Sequence, residues 1–125
     1  PWYMTGHVIN MDNYYTSPLS FIELQKKGLF ARGTCRSNRR HFPEAIQYTP
    51  AEARNANRGA MKLASNFMYD MVAMGWVDGN PVHFLTTADG TEASTVKRRV
   101  GGNMTTVNAP VAIKRFNHGM QGVDR

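Results

Sequence analysis

His7-Val8-Ile9-Asn10-Met11-Asp12-Asn13-Tyr14-Tyr15-Thr16-Ser17-Pro18 is the stretch on which the fold turns. Its first half is short, partly β-branched and bounded by Gly6 and Asp12-Asn13, the pattern of a buried strand that ends in a turn. Asp12 then sits at the strand's C-terminal tip. In the second half Ser17 can cap a helix and Pro18 can occupy its first position. Leu19, Phe21, Ile22 and Leu24 put apolar groups on one side of that helix, which stops at Gly28. Residues 29–35 read as a second strand, interrupted by Gly33. Strand, helix and strand in succession predict a crossover that joins a parallel pair, with the helix covering one face of the sheet.

Further along, Arg36-Ser37-Asn38-Arg39-Arg40 is a polar loop carrying three arginines, and residues 50–58 read as a linker or a weak helix. Residues 60–87 hold three apolar runs separated by Ser65-Asn66 and by Asp78-Gly79-Asn80-Pro81, which are turn signals. An antiparallel meander with residues 82–87 as its last strand follows. A helix over 67–75 is the alternative, because Met68, Met71 and Met74 are spaced three apart; such a stripe packs in cores far more often than it binds a ligand. Residues 88–108, rich in Gly, Thr, Asn and charge, read as a loop with one short strand at most. Pro110 opens a helix through Phe116 with Val111, Ile113 and Phe116 inward, and residues 117–122 are expected to turn before Asp124.

With 125 residues, one domain is the ceiling, and a hydrophobic content of 42% is near the low edge for filling a core, so the chain is expected to need its sheet partners. Fifteen Lys and Arg against nine Asp and Glu give a net charge of +6 and a field that attracts polyanions, of which nucleic acid is the commonest. The lone Cys35 excludes an internal disulfide and a multi-cysteine zinc cluster, which fits a reducing compartment. Asn103-Met104-Thr105 matches a glycosylation sequon, a pattern that arises often by chance. No apolar run approaches the ~20 residues of a membrane span. The start at Pro1-Trp2-Tyr3 has neither an initiator Met nor a signal pattern, and both ends are read as cut from a longer chain.

Phosphoryl-transfer enzymes gather carboxylates at strand or helix ends because paired divalent cations need shared oxygen ligands, and Mg²⁺ selects such hard donors. Asp12 stands in the right kind of place, although an Asp-Asn turn by itself is usually only a turn. Arg36, Arg39 and Arg40, with Asn38 between them, form a donor-rich loop suited to a DNA backbone; a solvated charged loop is the plain alternative. Lys97-Arg98-Arg99 reads as a solvated run. His7, His41, His83 and His118 lack the i, i+4 spacing of a metal helix. Trp2, Tyr14, Tyr15 and Trp76 can stack on bases, though packing in a core is the commoner use. A phosphate loop, a nucleophile elbow and paired cysteines are all missing, so nucleotide hydrolysis, acyl transfer and zinc-finger binding have no support.

Four ordered landmarks carry a resemblance that spans nearly the whole chain. Asp12-Asn13-Tyr14-Tyr15-Thr16-Ser17 is followed by Gly28-Leu29, by Gly33-Thr34-Cys35-Arg36-Ser37-Asn38-Arg39 and by Phe42-Pro43. Gly75-Trp76-Val77-Asp78 with Pro81-Val82 and Thr86-Thr87 comes next, then Pro110-Val111, Phe116-Asn117 and Met120-Gln121-Gly122-Val123-Asp124. In this order they resemble the catalytic domain of piggyBac-like transposases of the DDE type. Phe116 stands where Tyr is usual, Gln121 where Gly is usual and Cys35 where Val is common; none of these removes a ligand.

The resemblance implies an α/β fold: a partial RNase H-like catalytic core over about 1–54 and 109–125, with a small β-rich insertion over about 55–108. It implies that Asp12 and Asp124 are the second and third catalytic aspartates, both ligands of two Mg²⁺ or Mn²⁺ ions. The first aspartate would lie upstream of residue 1 and a further acidic residue beyond Asp124, so this piece alone is expected to be inactive. The implied partners are DNA, as transposon ends and target, and other copies of the parent on that DNA, in the nucleus and away from membranes. A domesticated transposase-derived protein that binds DNA without cutting it is the competing expectation. A basic RNA-binding domain is a third, and it would need surface aromatics on a sheet beside the arginines.

Overall fold

The computed structural model describes residues 2–5, 8–66 and 68–121, with 2–5 and Gln121 described in the backbone only. His7 and Asp124, and the side chain of Trp2, therefore lie outside the described residues. In chain order the elements are β1 (Trp2–Thr5), β2 (Val8–Met11), α1 (Pro18–Lys26), β3 (Phe30–Thr34), a 3-10 turn (Glu44–Ile46), α2 (Pro50–Asn55), β4 (Met61–Asn66), β5 (Met71–Asp78), β6 (Asn80–Thr86), β7 (Ala93–Val100), β8 (Asn103–Pro110) and α3 (Val111–Gln121). Strands β1 to β6 form one six-stranded sheet in the order β1-β2-β3-β6-β5-β4, and β7 and β8 form a separate two-stranded ribbon.

The opening follows the sequence closely. β2 and β3 pair in parallel, Val8 opposite Phe30 and Met11 opposite Gly33, with α1 between them in the chain. Ser17 starts α1 as a reciprocal cap: its hydroxyl accepts from the Ser20 amide at 3.1 Å, and the Ser20 hydroxyl accepts from the Ser17 amide at 3.2 Å. Phe21 is fully buried under the helix, whereas Leu19, expected to face inward, is half exposed.

The meander is also present. β4, β5 and β6 pair antiparallel, and β5 folds back onto β6 at Gly79, which holds a left-handed φ of 77°. The alternative helix over 67–75 is not seen. In a strand, residues three apart point to opposite faces, so Met71 packs on the α1 side and Met74 on the α3 side, while Met68 in the turn is exposed. β6 pairs with β3, so most of the β-rich stretch extends the same sheet as β2 and β3, and only the β7–β8 ribbon stands apart from it.

Two expectations about the C-terminal third are overturned. Residues 88–108, expected to be a loop with one short strand at most, instead hold the eight-residue β7 and most of the eight-residue β8, which runs on to Pro110. The turn is Gly101-Gly102, both with positive φ, between the paired Val100 and Asn103; that geometry matches the twist of a tight hairpin. α3 does not stop at Phe116 but runs on to Gln121. Gly119 is kept inside the helix by packing, since a Cβ there would lie 3.2 Å from the Asn10 amide nitrogen. The stretch 50–58, left open between a linker and a weak helix, begins with the short capped helix α2.

The core is split by the sheet. Ile9, Met11, Ala31, Met71, Ala73 and Leu85 meet Phe21, Phe42 and Ile46 on the α1 side. Val72, Met74, Trp76 and Phe84 meet Val107 and Ala109 of the ribbon and Ala112, Ile113 and Phe116 of α3 on the other. Three layers result, with β5 buried on both faces from Met71 to Val77.

Candidate functional site

Asp12 follows β2 directly and is partly buried, at the C-terminal edge of the parallel pair. Its Oδ1 accepts the Tyr14 amide at 3.1 Å, and its carbonyl oxygen accepts the Thr16 hydroxyl at 2.8 Å and the Tyr15 and Thr16 amides at 3.3 Å. This is an Asx turn. Gly33 of the neighbouring strand makes room for it: a Cβ there would collide with the Met11 carbonyl oxygen and lie 2.6 Å from Thr16 Oγ1. The turn is thus fixed in the backbone, yet it presents Tyr14 at 65% and Tyr15 at 46% exposure, their rings edge to face at 4.9 Å.

The arginine loop meets the same turn. Arg39 donates from Nη2 to the carbonyl oxygens of Asn13 at 3.2 Å and Tyr14 at 2.5 Å. Its Nε is buried and has no hydrogen-bond partner among the described residues. Arg39 therefore clamps the Asp12 turn, while Arg36, Asn38 and Arg40 of the same loop are exposed. Of the residues singled out in the sequence, the structure brings Asp12 together with the 36–40 loop; Asp124 lies outside the described residues, and the described residues contain no cluster of three or more His, Cys, Asp or Glu side chains that could hold a metal.

Cys35, beneath the loop, is buried, and burial pushes its thiol up to about 12, so it stays protonated and unreactive at neutral pH. His83 is a packing residue. Burial lowers its pKa, and its Nε2 accepts the Tyr48 amide at 3.1 Å. Trp76 is 2% exposed and donates its indole N–H to the Asn108 carbonyl, so it is core and not a base-stacking surface.

One network was missed in the sequence. Arg32 of β3 lies on the α3 side of the sheet and reaches Asp89 with two bonds, Nε to Oδ2 at 2.8 Å and Nη2 to Oδ1 at 3.1 Å. Arg115 of α3 adds a third at 3.0 Å, and Thr86 donates its hydroxyl at 2.7 Å. Arg32 Nη1 also approaches Asn10 Oδ1 at 3.4 Å. Burial raises the Asp89 pKa, but the bonds from Arg32, Thr86 and Arg115 outweigh it and hold the carboxyl below its ordinary value. The available signal was an arginine inside an otherwise small and buried strand, Ala31-Arg32-Gly33, which demands a buried acid.

Residues 2–125 match the family model described as transposase IS4, and the chain belongs to that family. Among solved structures it is similar to the cryo-EM structure of the piggyBac transposase synaptic complex with hairpin DNA, with a TM-score of 0.62 and 21% identity over 94% of this chain. The chain spans 22% of that protein's length.

Proposed function

We propose that this chain is part of the catalytic domain of a DNA transposase, in which Asp12 and Asp124 are carboxylate ligands of divalent metal within an RNase H-like core. The observation that carries the reading is the seating of α3 on the strand that bears Asp12. A Cβ on Gly119 would lie 3.2 Å from the side-chain amide of Asn10, two residues before Asp12, and Asp124 follows Gly119 by five residues in the sequence, which keeps Asp124 within about 18 Å of Gly119 even in a fully extended chain. Asp12 fits Mg²⁺ or Mn²⁺ as a hard oxygen donor. When bound, such ions activate water and then a 3′ hydroxyl for attack on phosphodiesters.

The chain's own residues do the positioning. Arg39 and Gly33 hold the Asp12 turn in one geometry, and the exposed Arg36, Asn38 and Arg40 offer donors to DNA phosphates. Tyr14 and Tyr15, packed edge to face on each other and open to solvent beside Asp12, suit stacking on an unpaired base. The same reading carries transposon ends and target DNA as partners, assembly of several copies on that DNA, and a nuclear location.

The test is Asp12→Ala in the full-length protein. Nicking of a transposon-end duplex in Mg²⁺ should be abolished while DNA affinity stays nearly intact. Retained cleavage would remove Asp12 from the metal site, and a wild-type protein that binds but never nicks would favour the DNA-binding alternative.

A further inference from the structure

α3 is held on the sheet in two ways. Ala112, Ile113 and Phe116 bury apolar surface against β5, β6 and the ribbon. Burial of that kind is non-directional, so it sets how closely the helix packs but not where along its axis it stops. The polar contacts beside it do have a direction. Arg115 Nη1 donates to Asp89 Oδ1 at 3.0 Å, and the same oxygen accepts Arg32 Nη2 at 3.1 Å. One helical turn beyond Arg115, on the same face, a Cβ on Gly119 would lie 3.2 Å from the Asn10 amide nitrogen. Asn10 and Arg32 are cross-strand partners in the β2–β3 register, and Arg32 Nη1 approaches Asn10 Oδ1 at 3.4 Å. Asn10, Arg32, Asp89, Arg115 and Gly119 thus close a ring between sheet and helix.

The ring has little freedom. A carboxylate offers about four lone-pair sites, and on the fully buried Asp89 Arg32 fills two while Thr86 and Arg115 fill one each. Arg32 already neutralises Asp89, so Arg115 is not required for charge balance. Its side chain is 57% exposed and well placed for hydration. The bond it makes instead is a charge-assisted one, which fixes position along the helix axis as apolar packing does not.

We propose that Arg115 and Asp89 are positioning residues for the metal site, locking α3 at one axial position on β2 and β3. The inference rests on the reading of Asp12 and Asp124 as metal ligands. Asp124 follows Gln121 by three residues, which keeps it within about 11 Å of the end of α3. A slip of α3 by one residue, about 1.5 Å along its axis, carries over to that short segment, and Mg²⁺ demands near-ideal octahedral geometry of its ligands.

The experiment uses Arg115→Gln in the full-length protein, because this variant leaves the buried Arg32–Asp89 pair in place. Amide exchange in α3 should quicken, with β5 unchanged. In the complex with saturating transposon-end duplex, the apparent Mn²⁺ affinity followed by electron paramagnetic resonance should fall about 10-fold, the lower end of what supporting residues around a metal contribute. Arg115→Lys should restore both in large part, and DNA affinity in EDTA should stay at the wild-type value. Wild-type exchange in α3 overturns the proposal. So does a lowered melting temperature with Mn²⁺ affinity intact, which would make the ring a stabilising contact and nothing more. A fall in DNA affinity with Mn²⁺ affinity intact overturns it too, by making Arg115 a phosphate contact. Wild-type Mn²⁺ binding by Asp12→Ala strikes the ligand reading itself, and with it the role at the metal, whereas the exchange of α3 in Arg115→Gln still judges the lock.

Discussion

Arg32 and Asp89 are an ion pair that has left water almost completely, with side-chain exposures of 10% and 0%. A pair of this kind adds little net stability as a pair, but removal of one partner strands the other's charge in the interior. Asp89→Ala should therefore cost about 3–5 kcal/mol in chemical denaturation, well beyond the loss of a surface acid. The pH dependence has a defined sign. The folded Asp89 pKa lies below its ordinary 3.8, so its stabilisation is complete above that value and is lost as the pH falls through the lower folded value. Wild type should lose more stability than Asp89→Asn over that acid window. The sequence placed Asp12 at a strand end and Arg36 to Arg40 in a loop, because a strand tip and a charge run are local patterns. It did not reveal Asp89, because an acid three residues beyond a strand is meaningful only once Arg32 and Arg115 are known to converge on it.

The elements divide in the same way. α1, β3 and the β4–β6 meander were legible because each carries its own stop signals: the Ser17-Pro18 start, Gly28, and the Asp78-Gly79-Asn80 turn. The β7–β8 ribbon was not, since its strands are mostly polar and composition alone suggested a loop. Gly101-Gly102 was the signal that should have outweighed it, a two-residue link of positive φ. Val at Gly102 has to adopt a φ of 86°, which β-branched residues strongly resist. Gly102→Val should destabilise the ribbon by about 1–3 kcal/mol, seen as faster amide exchange in β7 and β8 with β5 little changed. The length of α3 was missed because Gly119 reads as a stop, while its contact with Asn10 is tertiary.

Across the whole molecule, protection should follow the layers. β5 is covered on both faces and paired on both edges, so its amides should exchange most slowly. β4 at the sheet edge and the ribbon outside it should open first, and equal protection of β4 and β5 would argue against the layered core. The family and the fold are carried by ordered landmarks spread over the full chain, which is why they survive 21% identity to a solved relative. The pairing of β6 with β3 was not legible, because nothing local to either strand names its neighbour.

The order of these layers along the chain has a consequence for biosynthesis. The strand that ends at Asp12 is covered by a helix that begins about a hundred residues later, at Val111. At about 5–20 residues per second on the ribosome, roughly 5–20 s pass before that cover exists. During this interval β2 and β3 present a bare face with Asn10 and Arg32 uncovered, and the nascent chain is most exposed to chaperones and to mispairing.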